Sequence, residues 1–198
     1  MIRMVRVNTK QKILQVGAEI IHLKGFNYTG IQEVLQAAGV PKGSFYNYFK
    51  NKEDFGLQVI DYFIGFFASA VEPITQDPSL TASGKIRAIL DRFMEVFRER
   101  DFAYGCPIGN LTQEMGDLNP AFRNKLKEAV DCMANIYVRL IREGQSCGEI
   151  SEKIHAEHTA YFIVSSWHGA LGHMKLEKSA RPLESHIHFI FNHILKAC

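Results

Sequence analysis

From Ile13 to the C-terminal end, apolar residues recur at intervals of three and four rather than two. That is the period of helices with one buried face, and it leaves no room for a sheet. Only six prolines interrupt the pattern, and most stand where a helix should start or stop. The expected fold is therefore all-α, about nine helices in one chain. They are expected at Thr9–Lys24, Gly30–Ala38, Pro41–Phe49, from Asn51 to a break near Pro73 and Pro78, then at Ala82–Arg100, Pro107–Asp117, Pro120–Ser146, Ile154–Lys178 and Pro182–Lys196.

Local signals set the ends. Lys24 suits the negative end of the first helix dipole, and Gly25 supplies its stop. Thr29 is the expected N-cap of the second helix, with Gln32 completing a capping box. Gly39 is a natural left-handed terminator, and Pro41 is suited to open a helix. Asn51 caps the next one, with Glu53 and Asp54 in its first turn.

The 198 residues carry a net charge of +2 that conceals a gradient. Residues 1–52 hold eight bases against two acids, a net of +6, and the remainder holds fifteen against nineteen, a net of −4. A basic head on a mildly acidic body is the footprint of a nucleic-acid binder with a separate second task. The division expected is a head at 1–52 and an effector and dimerisation unit at 53–198, with 53–72 linking them. No apolar run approaches the roughly 20 residues needed to span a bilayer, and no secretory signal follows the basic start. The four cysteines, Cys106, Cys132, Cys147 and Cys198, show no metal-binding or disulfide spacing. A reducing cytoplasm is the expected location.

The segment Pro41–Phe49 has an outer face that core filling does not require. Phe45 and Phe49 point inward, four apart, while Lys42, Gly43, Ser44, Tyr46 and Asn47 point out. Lys42 stands at the helix start, where N–H groups also favour phosphate or a guanine edge. Gly43 lets the backbone approach a duplex. Ser44 and Asn47 have the groups to read base edges, and Tyr46 and Tyr48 to bond phosphate. Thr29 and Lys52 flank the motif as backbone grips. Two roles stay open for Tyr48, phosphate contact or head core.

The helix ending in Gly25-Phe26, the run AAGVPKGSFYNYFKNKEDF and the helix that follows resemble the TetR/AcrR family of bacterial repressors over roughly residues 9–60. Many members carry His where this chain has Tyr48. The resemblance implies an all-α homodimer on a double-stranded, near-palindromic operator. Its two recognition helices would be spaced by about 34–36 Å or a small multiple of one turn. An effector acting on the body would change that spacing and release the DNA.

In the body, the last two helices are the expected dimer surface. Phe162, Ile163, Trp167, Ala170, Leu171 and Met174 stripe one, and Leu183, Ile187, Ile190, Phe191, Ile194 and Leu195 the other. Gly169 and Gly172 permit close approach, and apolar cover exceeds one core face. Cys106 opens a helix at Pro107, where the dipole would lower its pKa, with Gly105 and Gly109 leaving it uncovered. It is either an electrophile or oxidant sensor or a packing residue. The segments GCPIGNLTQEMGDLNPAFR and WHGALGHMKLEKSARPLES resemble the subgroup that includes the N-ethylmaleimide-responsive repressor. That resemblance implies a redox-switch role for Cys106 and a partnering role for Lys175. The competing signal is a non-covalent apolar ligand in a cavity lined by Phe67, Phe93, Phe97, Phe102, Tyr104, Met133, Tyr137 and Phe162; the alternative for these residues is plain core.

Catalysis is not expected. The chain has no G-x-S-x-G, H-E-x-x-H, phosphate loop or dinucleotide fingerprint. Glu157 and His158 are adjacent rather than three apart, and His168 and His173 are five apart, so neither a metal nor another cofactor is expected. A purely architectural DNA binder would not need so large an acidic body.

Overall fold

A computed structural model of the chain describes residues 8–195. The basic residues Arg3 and Arg6, the helix end at Lys196 and Cys198 lie outside the described residues. Among those described, every regular element is helical. They are α1 (Thr9–Lys24), α2 (Ile31–Ala37), a 3₁₀ helix (Lys42–Asn47), α3 (Lys52–Thr75), α4 (Ala82–Arg98), α5 (Pro107–Met115), α6 (Pro120–Ser146), α7 (Ala156–Glu177) and α8 (Arg181–Phe189), which runs on into a π turn (Ile190–Ile194).

The head is assembled round aromatic rings. Phe45, Phe49 and Phe55 pack with centroids 5.0–5.6 Å apart, close enough to add ring–ring attraction to their burial. α1 lies over them with Ile13, Ala18 and Ile21 buried. Gly17 is obligatory there, because a Cβ would stand 2.2 Å from Phe55 Cζ. Asn51 caps α3 as expected, its side chain accepting from the Asp54 amide at 2.8 Å.

Two expectations in this region fail. Thr29 does not cap α2: the N-cap is Gly30, with no side-chain bond, so no capping box forms. Thr29 turns back instead and donates to the Gly25 carbonyl at 2.7 Å. The segment after Pro41 is a 3₁₀ helix rather than an α-helix; Ser44 and Tyr48 amides bond three residues back, to Pro41 and Phe45. α3 ends at Thr75, between Pro73 and Pro78 as expected, with Pro73 inside its last turn. A proline costs one amide bond and a clash with the preceding turn, and so near the end of the helix little follows to be lost.

α3 joins head to body. Among the described residues it alone is long and apolar enough, by length and composition, to cross a bilayer, contrary to the reading of the sequence, where Gly, Ala and Ser diluted the run. Its inward face is instead packed, with Val59, Ile60, Phe67 and Val71 buried. The body packs α4, α6, α7 and α8 on one another, and one cluster of buried side chains runs continuously from Ile13 to Leu195.

The head is tied to the body at named points. The Phe26 and Phe122 rings meet at 4.7 Å, over Gly56, where any side chain would strike both. Asn119 Nδ2 donates to Glu53 at 2.8 Å, and Lys125 pairs with Asp61 at 2.6 Å. The Glu114 carboxylate of α5 accepts the amides of Phe26 at 2.9 Å and Asn27 at 2.7 Å, in the turn after α1.

Candidate nucleic-acid interface and sensing cavity

A 3₁₀ helix has three residues per turn and rises about 2 Å per residue. Side chains three apart therefore align in files. One file, Lys42–Phe45–Tyr48, buries its centre: Phe45 is sealed and Tyr48 is half-buried against the head core. The other two, Gly43–Tyr46 and Ser44–Asn47, stand on the open side, with Ser44 half-buried. Tyr46 is 66 % exposed, its ring edge-on to Phe45 at 5.4 Å. Nothing lies within 4 Å of a Cβ placed on Gly43, so its value is the absence of bulk toward an approaching duplex. The helix starts cleanly because Gly39 takes a left-handed turn (φ 61°) that lets the Val40 amide bond the Leu35 carbonyl at 3.0 Å.

Two residues expected to grip DNA are used internally. Thr29 is 2 % exposed, with its hydroxyl spent on Gly25, so it offers nothing to phosphate. Lys52 is half-buried; its ammonium donates to the Asn27 carbonyl at 3.1 Å and stands 4.6 Å over the Phe26 ring. Burial lowers its pKa, and the Glu114 carboxylate partly offsets that. It is first a brace for the turn after α1. Apart from Lys52 and from Lys24, which pairs with Glu33 at 2.5 Å, the head's described exposed or part-exposed lysines are Lys10, Lys12, Lys42 and Lys50.

Below the head lies a cavity of about 300 Å³, at the lower end of the range of ligand sites. Of the eight residues expected to line it, Phe67, Phe93, Phe97, Tyr104, Met133 and Tyr137 do so. Phe67 and Phe93 stack at 5.4 Å. Phe102 and Phe162 do not line it. Phe102 sits in a left-handed turn (φ 54°) and lines a shallower neighbouring groove, while Phe162, on the outer side of α7, is 46 % exposed.

The sequence reading missed that the head itself supplies part of the wall. Gln15, Ala18, Glu19 and His22 of α1 line the cavity. Their spacing of three and four was a readable signal: a second stripe on α1, beside the one facing the head core. His22 Nε2 bonds the Gly105 carbonyl at 2.8 Å; since a carbonyl only accepts, that nitrogen carries the proton. Burial lowers the His22 pKa, the Gly105 bond partly restores it, and Arg100 and Lys175 lower it further. The Tyr104 ring lies 5.3 Å from His22.

Cys106 is the N-cap residue of α5 and lines the same cavity. The expected rise in thiolate does not occur in this fold. Burial pushes the thiol pKa up, and the Gly109 and Ile108 amides offset that only in part. Nor is Cys106 uncovered: it is half-buried, Gly105 is buried, and a Cβ placed on Gly109 would stand about 3.2 Å from the His168 ring. Its loop is strained. Asp101, Phe102 and Tyr104 all hold positive φ without being glycine, a conformation that costs energy and that surrounding structure must enforce. Lys175 is beside this loop: its stem passes about 3.7 Å from where a Gly105 Cβ would lie, and its ammonium donates to Asn110 Oδ1 at 3.2 Å.

The expected dimer helices are only partly free. Ile163, Trp167, Leu171, Met174, Leu183, Ile187, Ile190 and Leu195 are buried inside the subunit, so those stripes are its own core. What α7 and α8 leave outside is Tyr161, Phe162, Leu176 and Phe189, with open space around Gly169 and Gly172. Among the described residues, no group of three or more potential metal-ligating side chains comes together.

Two family models match separate parts of the chain. The family model described as bacterial regulatory proteins, tetR family, matches residues 13–59, and that described as the tetracyclin repressor-like C-terminal domain matches residues 82–190. The transcriptional regulator AcuR of Cereibacter sphaeroides is 37 % identical over 175 residues, covering 88 % of this chain and 80 % of AcuR. The HTH-type transcriptional repressor DhaR of Mycobacterium sp. (strain GP1) is 30 % identical over 192 residues, covering 97 % and 95 %. The crystal structure of reduced Escherichia coli NemR superposes with a TM-score of 0.87 over 96 % of this chain and 99 % of that one; at 24 % identity the likeness is one of fold.

Proposed function

The chain belongs to the TetR family of bacterial regulatory proteins, whose members here are transcriptional regulators and not enzymes, and from that premise we propose a sequence-specific repressor released when its cavity is engaged. Two copies bind a near-palindromic operator in the cytoplasm. Lys42, Gly43, Ser44, Tyr46 and Asn47 enter the groove, with Tyr48 at its edge. DhaR, itself named a repressor, supports the sign of regulation.

The observation that carries the release step is the shared wall. Gln15, Glu19 and His22 belong to the helix that supports the DNA-reading motif, and they line the cavity that holds Cys106. A change at Cys106 acts at once on α5, whose Glu114 holds the turn after α1. Modification of Cys106 by an electrophile or oxidant is the proposed signal, with Lys175 as its neighbour. A second reading, a non-covalent apolar ligand, is supported by the aromatic lining and by the burial that keeps the thiol protonated.

Dimerisation uses the outer faces of α7 and α8. Phe162, Leu176 and Phe189 supply apolar area, and Gly169 and Gly172 allow the partner's helices to come close.

Selection from random duplexes tests the DNA-reading claim: a two-fold symmetric motif is expected, and enrichment of no motif would refute it. Release of the selected duplex by N-ethylmaleimide or hypochlorite is expected in the wild type and lost in Cys106→Ser. A Cys106→Ser protein that responds fully removes the thiol reading and leaves the non-covalent one.

A further inference from the structure

Tyr137 of α6 is 4 % exposed, yet no hydrogen bond to its hydroxyl is present among the described residues. A buried phenol usually finds a partner. This one lines the cavity, and its oxygen is not among the sealed polar atoms, so the hydroxyl opens on the cavity space. Cys106 is close enough for a thiolate there to add to burial in raising the phenol's pKa. The phenol therefore keeps its proton and is a donor across the working pH range. Around the pair the wall is hydrocarbon and aromatic, from Ile108, Met133, Phe97 and Trp167.

We propose that Tyr137 is a specificity-determining donor that seats the carbonyl oxygen of an α,β-unsaturated electrophile, placing its β-carbon at Cys106 Sγ. The inference rests on the thiol reading above and adds which electrophiles the site prefers. The step is a conjugate addition. The sulfur electron pair forms a bond to the β-carbon, the carbon–carbon double bond opens, and charge moves onto the carbonyl oxygen, where the Tyr137 O–H stabilises it. The proton given up by the thiol ends on the α-carbon as the enolate returns to the ketone. The product is a thioether plus a saturated carbonyl, with no oxidant or reductant consumed. Such a donor acts where charge develops in the transition state. It compensates for a thiol that burial keeps largely protonated. Oxidants without a carbonyl, such as hydrogen peroxide, gain nothing from it.

The test compares Tyr137→Phe, which keeps ring and volume, with the wild type. The rate of Cys106 modification is followed by mass spectrometry with 2-cyclohexenone and, separately, hydrogen peroxide, each divided by the reagent's rate with glutathione. The expected result is a loss on the order of 10- to 100-fold for cyclohexenone only, below the cost of an enzyme's oxyanion donor because cavity water partly substitutes. The peroxide rate is expected to stay within about threefold. Equal cyclohexenone rates in the two proteins, or equal losses with both reagents, overturn the role of Tyr137 and leave the thiol reading standing. Failure of cyclohexenone to modify Cys106 in the wild type overturns the role of Tyr137, and failure of both cyclohexenone and peroxide overturns the thiol reading as well. If Tyr137→Phe does not fold, the wild type still decides: its glutathione-normalised rate must be higher with cyclohexenone than with peroxide, and the reverse order refutes the proposal.

Discussion

Replacing Glu114 by Ala should uncouple the cavity from the DNA-reading head. Its carboxylate accepts two backbone amides, Phe26 at 2.9 Å and Asn27 at 2.7 Å, in a notch that exists because Gly25 has no side chain; a Cβ there would lie 2.8 Å from Glu114 Oε2. Hydrogen bonds to a charged acceptor contribute about 1.5–3 kcal/mol when the donor is otherwise unpaired. Phe26 is buried and takes the full figure, whereas Asn27 is exposed and water replaces most of its bond. The sum is about 2–4 kcal/mol of local opening energy, or about 30- to 700-fold in the opening equilibrium. Native-state hydrogen exchange reads it directly: the Phe26 and Asn27 amides should lose that much protection while amides in α6 change little. Operator affinity in Glu114→Ala should also respond less to modification of Cys106. Glu114→Gln keeps one acceptor and should fall between. Unchanged exchange at Phe26 and Asn27, or an undiminished release response in a folded Glu114→Ala protein, would refute the argument that α5 carries the signal.

Tyr46→Phe and Lys42→Ala should each weaken operator binding by about 1–3 kcal/mol in fluorescence anisotropy without changing the sedimentation of the dimer, and loss of Lys42 should reduce the steep salt dependence by about one counterion. Phe162→Asp combined with Phe189→Asp should shift sedimentation from dimer to monomer; a dimer that persists would place the interface elsewhere. Stability should fall as the solution is acidified from about pH 6.5 toward 4. His186 titrates near 6.5 unfolded and, through burial, at about 4 in the fold, so the unfolded chain binds more protons across that interval and stability rises with pH. Urea titrations should show a loss of up to about 3 kcal/mol from this group, with His22 and His168, also lowered by burial, steepening it. A flat profile there would contradict the burial of these rings.

What was legible in the sequence is what local chemistry decides. Thr9–Lys24 and Pro120–Ser146 have the ends expected of them, because Gly25 terminates the first and Pro120, behind an Asn119 cap, opens the second. The fold class followed from periodicity alone. Thr29 was misread because a cap and a buried hydroxyl call for the same residue type, and only the fold shows that Gly25 was the nearer acceptor. The recognition segment has too few residues for propensity to choose between α and 3₁₀ winding. Phe102 and Phe162 went astray because hydrophobicity says that a ring is sheltered, not by what. His22 and Glu114 act on Gly105 and on the Phe26 and Asn27 amides, 83 to 88 positions away, and no sequence window reaches so far.

Because side chains of α1 complete the cavity, the site has no existence apart from the docked head. A truncated body would present an open bowl with its His22 side missing. Any reversible occupant that favours one docking geometry over the other changes affinity for the duplex by some factor, and linkage requires the duplex to change affinity for that occupant by the same factor. Repressor held on its operator would therefore need more of such an inducer to reach half-occupancy than free repressor does.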